Sequence, residues 1–235
     1  MHPTRSIVEE NLLYEDNHLL VVNKPAGMLT QGDATGDLDL LTAAKLYLKE
    51  KHDKPGNVFL GLVHRLDRPV SGAMVFARTS KAASRLSRQF RKRTVEKRYL
   101  AIVEGKLDGN GVLVDYLRKD HRIVRIVDAQ HPQGARAELS YETLAQENQT
   151  SLVEVQLATG RPHQIRVQLA NLGHPVVGDF RYGARTELDG RNLALHSYRL
   201  QIEHPTKGEP MTWQVEPPPT WAPRYRNTIR TLLAR

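Results

Sequence analysis

The stretch GAMVFARTSKAASRLSRQFRKRTVEKRYLAIVEG, residues 72–105, changes its apolar period twice. GAMVFART is an almost continuous β-type run. SKAASRLSRQFRKR then spaces Ala82, Ala83, Leu86 and Phe90 along one side of a helix, and YLAIVEG returns to a strand. A strand, a helix and a strand in so short a span place the chain in a mixed class. Opposite the apolar side, Lys81, Arg85, Arg88 and Lys92 fall at i, i+4, i+7 and i+11 and form a stripe. From Ser80 to Arg98 eight basic residues meet one acidic residue, a local excess of +7 where the whole 235-residue chain carries +8. A solvated helix face interleaves both signs, whereas a stripe of one sign repels itself unless anions lie on it. Arg85, Arg88 and Lys92 are therefore read as contacts to an RNA or DNA backbone. Aromatic residues make up only 6% of the chain, too few for stacking bases on several rings.

Upstream, NHLLVVNKPAGML is a short strand, Leu19 to Val22, that delivers Lys24 to a Lys-Pro-Ala-Gly turn. LLTAAKLYLKEKH has helical spacing and stops at the DKPGN breaker. Downstream, YLAIVEG, GVLVDYL, RIVRIV, ARAELSYETL and SLVEVQLAT are β-type segments separated by turns such as DGNG and HPQG, which favours antiparallel pairing. RPHQIRVQLANLG reads as a helix with Pro162 in its first turn and Gly173 as its stop. LALHSYRLQIEHP, a strand around MTWQVE and a C-terminal helical segment complete an α+β chain, a mainly antiparallel mixed β-sheet flanked by helices. The length permits one domain over residues 1–235.

An apolar fraction of 40% is enough for a core. The absence of cysteine excludes disulfides, thiol catalysis and Cys-ligated metal sites. Ten histidines show no tight ligand spacing, so no metal is expected. The N-terminus carries acidic residues without an apolar signal core, and no run approaches a bilayer span. The expectation is a cytoplasmic protein, read as a monomer although nothing in the sequence fixes its oligomeric state.

LVHRLDRPVSG, residues 62–72, sets Asp67 between Arg65 and Arg68. Alone, four residues favour an ion-paired turn over a reaction centre. In chain order, NKPAGM, HRLDRPVSG, EKRYLAIVEG, TGRPHQIRVQLANLGHPVVGD and RYG resemble the successive signatures of the RluA-type family of RNA pseudouridine synthases. Two departures are visible: Val70, after Pro69, stands where that family often has Thr, and Ala77-Arg78 where Ala-Lys is common. Neither replaces the aspartate, the tyrosine or the Gly-Arg pair.

The resemblance implies a pseudouridine synthase fold with a central catalytic cleft, no cofactor, and isomerisation of a uridine already within structured RNA, a tRNA or rRNA. Asp67 matches the catalytic carboxylate, as nucleophile or base. Arg161 matches the arginine that pairs with it; a guanidinium stays charged and grips both carboxylate oxygens. Tyr99 matches the tyrosine lying against the target base. Arg65 is either the side chain that fills the stack vacated by a flipped base or a phosphate contact. Lys24 is assigned to substrate or to ordering the catalytic loop, and His163, Gln164 and Arg166 to RNA or to bracing the site. His64 and Leu66 read as packing and turn residues. The few residues before Tyr14 leave no room for the ribosomal-protein S4-type RNA-binding domain that many relatives carry. Two other readings stand beside this one: a non-catalytic RNA-binding protein on the same scaffold, and a hydrolase that would need a second carboxylate, which the motifs do not offer.

Overall fold

The computed structural model describes residues 3–121, 123–221 and 225–234. In chain order its elements are α1 (Pro3–Glu10), β1 (Leu12–Glu15), β2 (Leu19–Lys24), α2 (Leu40–Lys51), β3 (Gly61–Leu62), β4 (Ser71–Ala77), α3 (Ser80–Lys92), β5 (Glu96–Glu104), β6 (Asn110–Asp120), β7 (Ile123–Val127), β8 (Ala135–Glu147), β9 (Thr150–Leu157), α4 (Gln164–Asn171), a 3₁₀ turn (Phe180–Tyr182), β10 (Leu195–Glu203), β11 (Pro210–Gln214) and α5 (Arg226–Leu233). No helix among the described residues is long and apolar enough to cross a membrane. The chain divides into two compact units, residues 1–95 with 199–215, and residues 96–198 with 216–235. Strand β10 contributes Leu195–Tyr198 to the second and Arg199–Glu203 to the first.

In the first unit the strand order is β1-β2-β4-β10, with β3 beside β4 and β11 beside β10. All seven residues of β4 are buried, which is why its sequence is a continuous apolar run. Helix α3 starts where the Thr79 hydroxyl accepts from the Ala82 N–H, 3.1 Å, and stops at Arg93 in the left-handed region, φ 60°. Its Ala82 and Leu86 enter a core with Leu19, Val21, Ala73, Val75, Val95, Leu200 and Ile202. Gly61 is needed for this packing, because a Cβ there would lie 2.9 Å from that of Ala83. Helix α2 is capped by Asp39, whose carboxylate accepts from the Thr42 N–H at 3.0 Å.

In the second unit the order is β10-β5-β9-β8-β6-β7. Tight turns join its meander: Glu147 pairs with Thr150 around Asn148 at φ 53°. Helix α4 packs Val167 onto Leu117, Val124 and Ala137. The Tyr225 hydroxyl donates to the Thr150 carbonyl, 2.9 Å, and holds the start of α5. Every ladder whose register is described is antiparallel, in keeping with the α+β expectation.

Two boundaries differ from the sequence reading. The strand through GAMVFART ends at Ala77, since Thr79 caps the next helix. The helix in RPHQIR starts at Gln164, not at Pro162, because His163 lies in the left-handed region, φ 51°, and the residues before it are tied elsewhere. The α1 helix, β1, β3 and the 3₁₀ turn had no periodic signal to announce them.

Candidate active site

In the first unit, the loop from β3 to β4 carries Asp67 and is stitched to the NKPAG loop mainly by backbone atoms. The Asp67 carbonyl accepts from the Val70 N–H at 3.0 Å, closing a turn. One residue earlier, the Leu66 carbonyl accepts from the Thr30 hydroxyl at 2.8 Å. One residue later, the Arg68 carbonyl accepts from the Gly27 N–H at 2.9 Å and from Lys24 Nζ at 3.1 Å. Arg68 returns the contact, with Nε donating to the Gly27 carbonyl at 3.0 Å, and its guanidinium reaches Asp37 at 2.7 Å. The backbone on either side of the half-buried Asp67 is thus fixed by partners from another strand end.

Lys24 is fully buried, and its ammonium also donates to the carbonyls of Pro25, 2.9 Å, and Met28, 2.7 Å. Burial pulls its pKa down from 10.5 to about 7, against the attraction of Asp67 and with the repulsion of Arg68. With no exposure, its ammonium is engaged by three backbone carbonyls of the two loops. His64 stacks on Phe90, centroids 4.7 Å apart, and its Nε2 accepts from the Val75 N–H at 3.0 Å, a packing role as expected. Arg65 is exposed, with no hydrogen-bond or ion-pair partner among the described residues. On α3, Lys81, Arg85, Arg88 and Lys92 are all exposed. Arg85 also donates to the Pro205 carbonyl at 2.5 Å, and Gln89 exchanges hydrogen bonds with the backbone of Glu203.

In the second unit, Tyr99 is buried on β5 opposite Val155 of β9, and β9 runs into the Thr159-Gly160-Arg161 loop. Gln164 organises that loop. Its Oε1 accepts from the Thr159 hydroxyl at 2.7 Å and the Arg161 N–H at 3.0 Å, and its Nε2 donates to the Glu138 carbonyl at 3.0 Å. The exposed Arg161 donates through Nε to the Arg136 carbonyl at 3.0 Å, leaving its terminal nitrogens for other partners. Lys97 shares a face of β5 with Tyr99, and its Nζ lies 3.5 Å from the position a Gly160 Cβ would take. It brings a second cation to the Gly-Arg loop.

His163 Nδ1 is 2.8 Å from the Tyr182 hydroxyl. That hydroxyl also accepts from the Val124 N–H at 3.0 Å. Burial raises the Tyr182 pKa, which keeps the phenol protonated. Arg166 is buried in a bidentate pair with Asp179, 2.6 and 2.8 Å, under the Tyr182 ring. The Arg166 guanidinium is thus held inside the fold by Asp179. Sequence reasoning named Gln164 beside His163 and Arg166 but missed Lys97, Asp179 and Tyr182, although all three lie in the quoted motifs.

The sequence matches the family model described as RNA pseudouridylate synthase over residues 18–171. It is 37% identical over 213 residues to the ribosomal large subunit pseudouridine synthase D of Nitrosomonas europaea, covering 86% of this chain and 60% of the relative. It is 39% identical over 206 residues to an uncharacterized RNA pseudouridine synthase of Bacillus subtilis, covering 86% and 66%. An uncharacterized RNA pseudouridine synthase of Aquifex aeolicus is 34% identical over 236 residues, covering 92% and 72%. The chain thus spans less than two thirds of the length of the first two. Among solved structures, human RNA pseudouridylate synthase domain containing 4 superposes with a TM-score of 0.80 at 24% identity, covering 96% of this chain and 95% of that one. Human RNA pseudouridylate synthase domain containing 1 gives 0.70 at 27% identity, covering 93% and 86%. With the HRLD turn, the buried tyrosine of KRY and the braced TGR loop in place, these matches establish that the chain belongs to the RNA pseudouridylate synthase family.

Proposed function

We propose that this protein converts uridine to pseudouridine within a folded tRNA or rRNA. In that reaction the N1–C1′ bond breaks, the detached uracil turns, C5 bonds to C1′, and the C5 proton is lost while N1 is protonated. Atoms are conserved, so no cofactor is consumed. Asp67 is the catalytic carboxylate, Arg161 its counter-charge, and Tyr99 the ring against the target base. Arg65 enters the stack that the flipped base leaves, and its exposure and lack of partners support that role. Arg85, Arg88 and Lys92 hold the RNA backbone, and His163 braces the Gly-Arg loop. The protein acts as a monomer in the cytoplasm, with residues 1–235 forming one catalytic domain.

The observation that carries the reading is the fixation of the backbone around Asp67. A carboxylate that must meet one atom of a flipped nucleotide gains from a main chain held on both sides by Thr30, Gly27 and Lys24. Family membership and the one-sign stripe on α3 supply the substrate class. The test is carbodiimide mapping of total RNA from cells lacking the protein and complemented with wild type or Asp67→Asn. Wild type restores one or more pseudouridine sites and the variant restores none; full restoration by Asp67→Asn would refute the assigned role.

A further inference from the structure

The antiparallel register of the second unit sets two arginines directly against each other. Arg118 of β6 pairs with Arg125 of β7, so both side chains leave the same face of the sheet. Like charges in a directly opposed pair destabilise a ladder. The same face carries Tyr116 and, across β8, Arg136, which is opposite Tyr116. It also carries Val112 and Val114, 62% and 48% exposed, so it is an open sheet face. The opposite face is the covered one, where Leu117, Val124 and Ala137 pack on Val167 of α4.

The charges on the open face are incompletely answered. Arg136 reaches Glu138 at 2.6 Å, and Arg125 lies 3.8 Å from Asp120 with its side chain 66% exposed. Arg118 has no ion-pair partner among the described residues, and its Nε, shielded from solvent, has no hydrogen-bond partner there. A shielded guanidinium nitrogen opposite a second guanidinium is a cost in the free protein that an anion between the two forks removes. The patch is also continuous with the Gly-Arg loop. Arg161 donates to the carbonyl of Arg136, while Thr159 and Gln164 bond to the backbone of Glu138.

We infer that the Tyr116–Arg118–Arg125–Arg136 face is a second RNA-backbone docking surface, additional to the α3 stripe, which grips phosphates of the substrate on the sheet face opposite the one that carries Tyr99. The inference rests on the RNA-directed activity proposed above and extends it to how the RNA is held. Arginine forks suit phosphate, and Tyr116 with two exposed valines offers an apolar floor to a sugar or base. A membrane surface is less suited, since Asp120 and Glu138 lie among the arginines and would oppose a broad anionic plane.

The test compares wild type with Arg118→Gln/Arg125→Gln and Arg118→Lys/Arg125→Lys. Binding of bulk transfer RNA is followed between about 50 and 200 mM salt. The Gln pair binds more weakly, and its log K against log salt slope is shallower by about 1.4–1.8, the value for two lost phosphate contacts. The Lys pair keeps most of the slope. Loss of the opposed charges leaves the melting temperature of the Gln pair equal to or above that of wild type. An unchanged affinity and slope for the Gln pair, an equal loss in the Lys pair, or a lower melting temperature overturns the inference. Absence of pseudouridine formation by wild type in total RNA defeats the proposed activity instead, and the two failures are read from different measurements.

Discussion

Lys24 shows how a buried cation can serve a carboxylate it is not bonded to. Its ammonium spans the carbonyls of Pro25, Met28 and Arg68, and the last belongs to the residue after Asp67. Lys24→Met leaves those acceptors unmet, which costs about 1–3 kcal/mol, seen as a lower urea midpoint, and lowers kcat by loosening the Asp67 turn. The pH response has a definite sign. Unfolded, this lysine holds its proton up to 10.5; folded, only up to about 7. Between those values the unfolded chain binds more protons, so the contribution of this group makes stability rise with pH from about 7 to 10.5 and leaves it flat below. In Lys24→Met that alkaline gain disappears, a difference measured by denaturation at pH 7 and pH 9.5. From sequence, Asp67 and Arg161 stand out because motifs mark them, whereas the fate of Lys24 depends in part on a carbonyl 44 residues away, which no spacing encodes.

Among the elements, α4 and the loop before it show where a sequence rule loses to tertiary bonding. Proline in RPHQIR suggests a first helical turn, but the Gln164 amide holds Thr159 and Arg161 against β8 and His163 takes the left-handed conformation. The helix is shorter, and the gain is an arginine displayed on a braced loop. Removing the amide by Gln164→Leu lowers kcat more than it raises KM, because Arg161 loses its support while the exposed RNA contacts stay; the two parameters are separated in single-site assays. Arg166→Ala is a different perturbation. It strands Asp179 without its bidentate partner and costs about 3–5 kcal/mol, read from thermal denaturation. Helices α2 and α3 were legible from their apolar spacing, and Asp39 and Thr79 cap them locally in the structure. The two-residue β3 was not, since a strand that short carries no period.

At the scale of the molecule, the strand-rich pattern after Arg98 gave the antiparallel class, and the ordered motifs gave the family. The path of the chain between the two units was not readable. The first unit is built from residues 1–95 and then 199–215, so its core waits for Leu200, Ile202 and Val215. This interruption has a consequence for biosynthesis. About 100 intervening residues must leave the ribosome before the β10 and β11 strands can join, a delay of roughly 5–20 s at ordinary elongation rates. Until then the apolar faces of Leu19, Val75 and Leu86 lack part of their cover. A ribosome-bound nascent chain halted at residue 150 is therefore digested by protease throughout residues 1–95, whereas one halted with residues 1–235 fully emerged resists, and the amino-terminal half of the chain spends its first seconds as a client for chaperones.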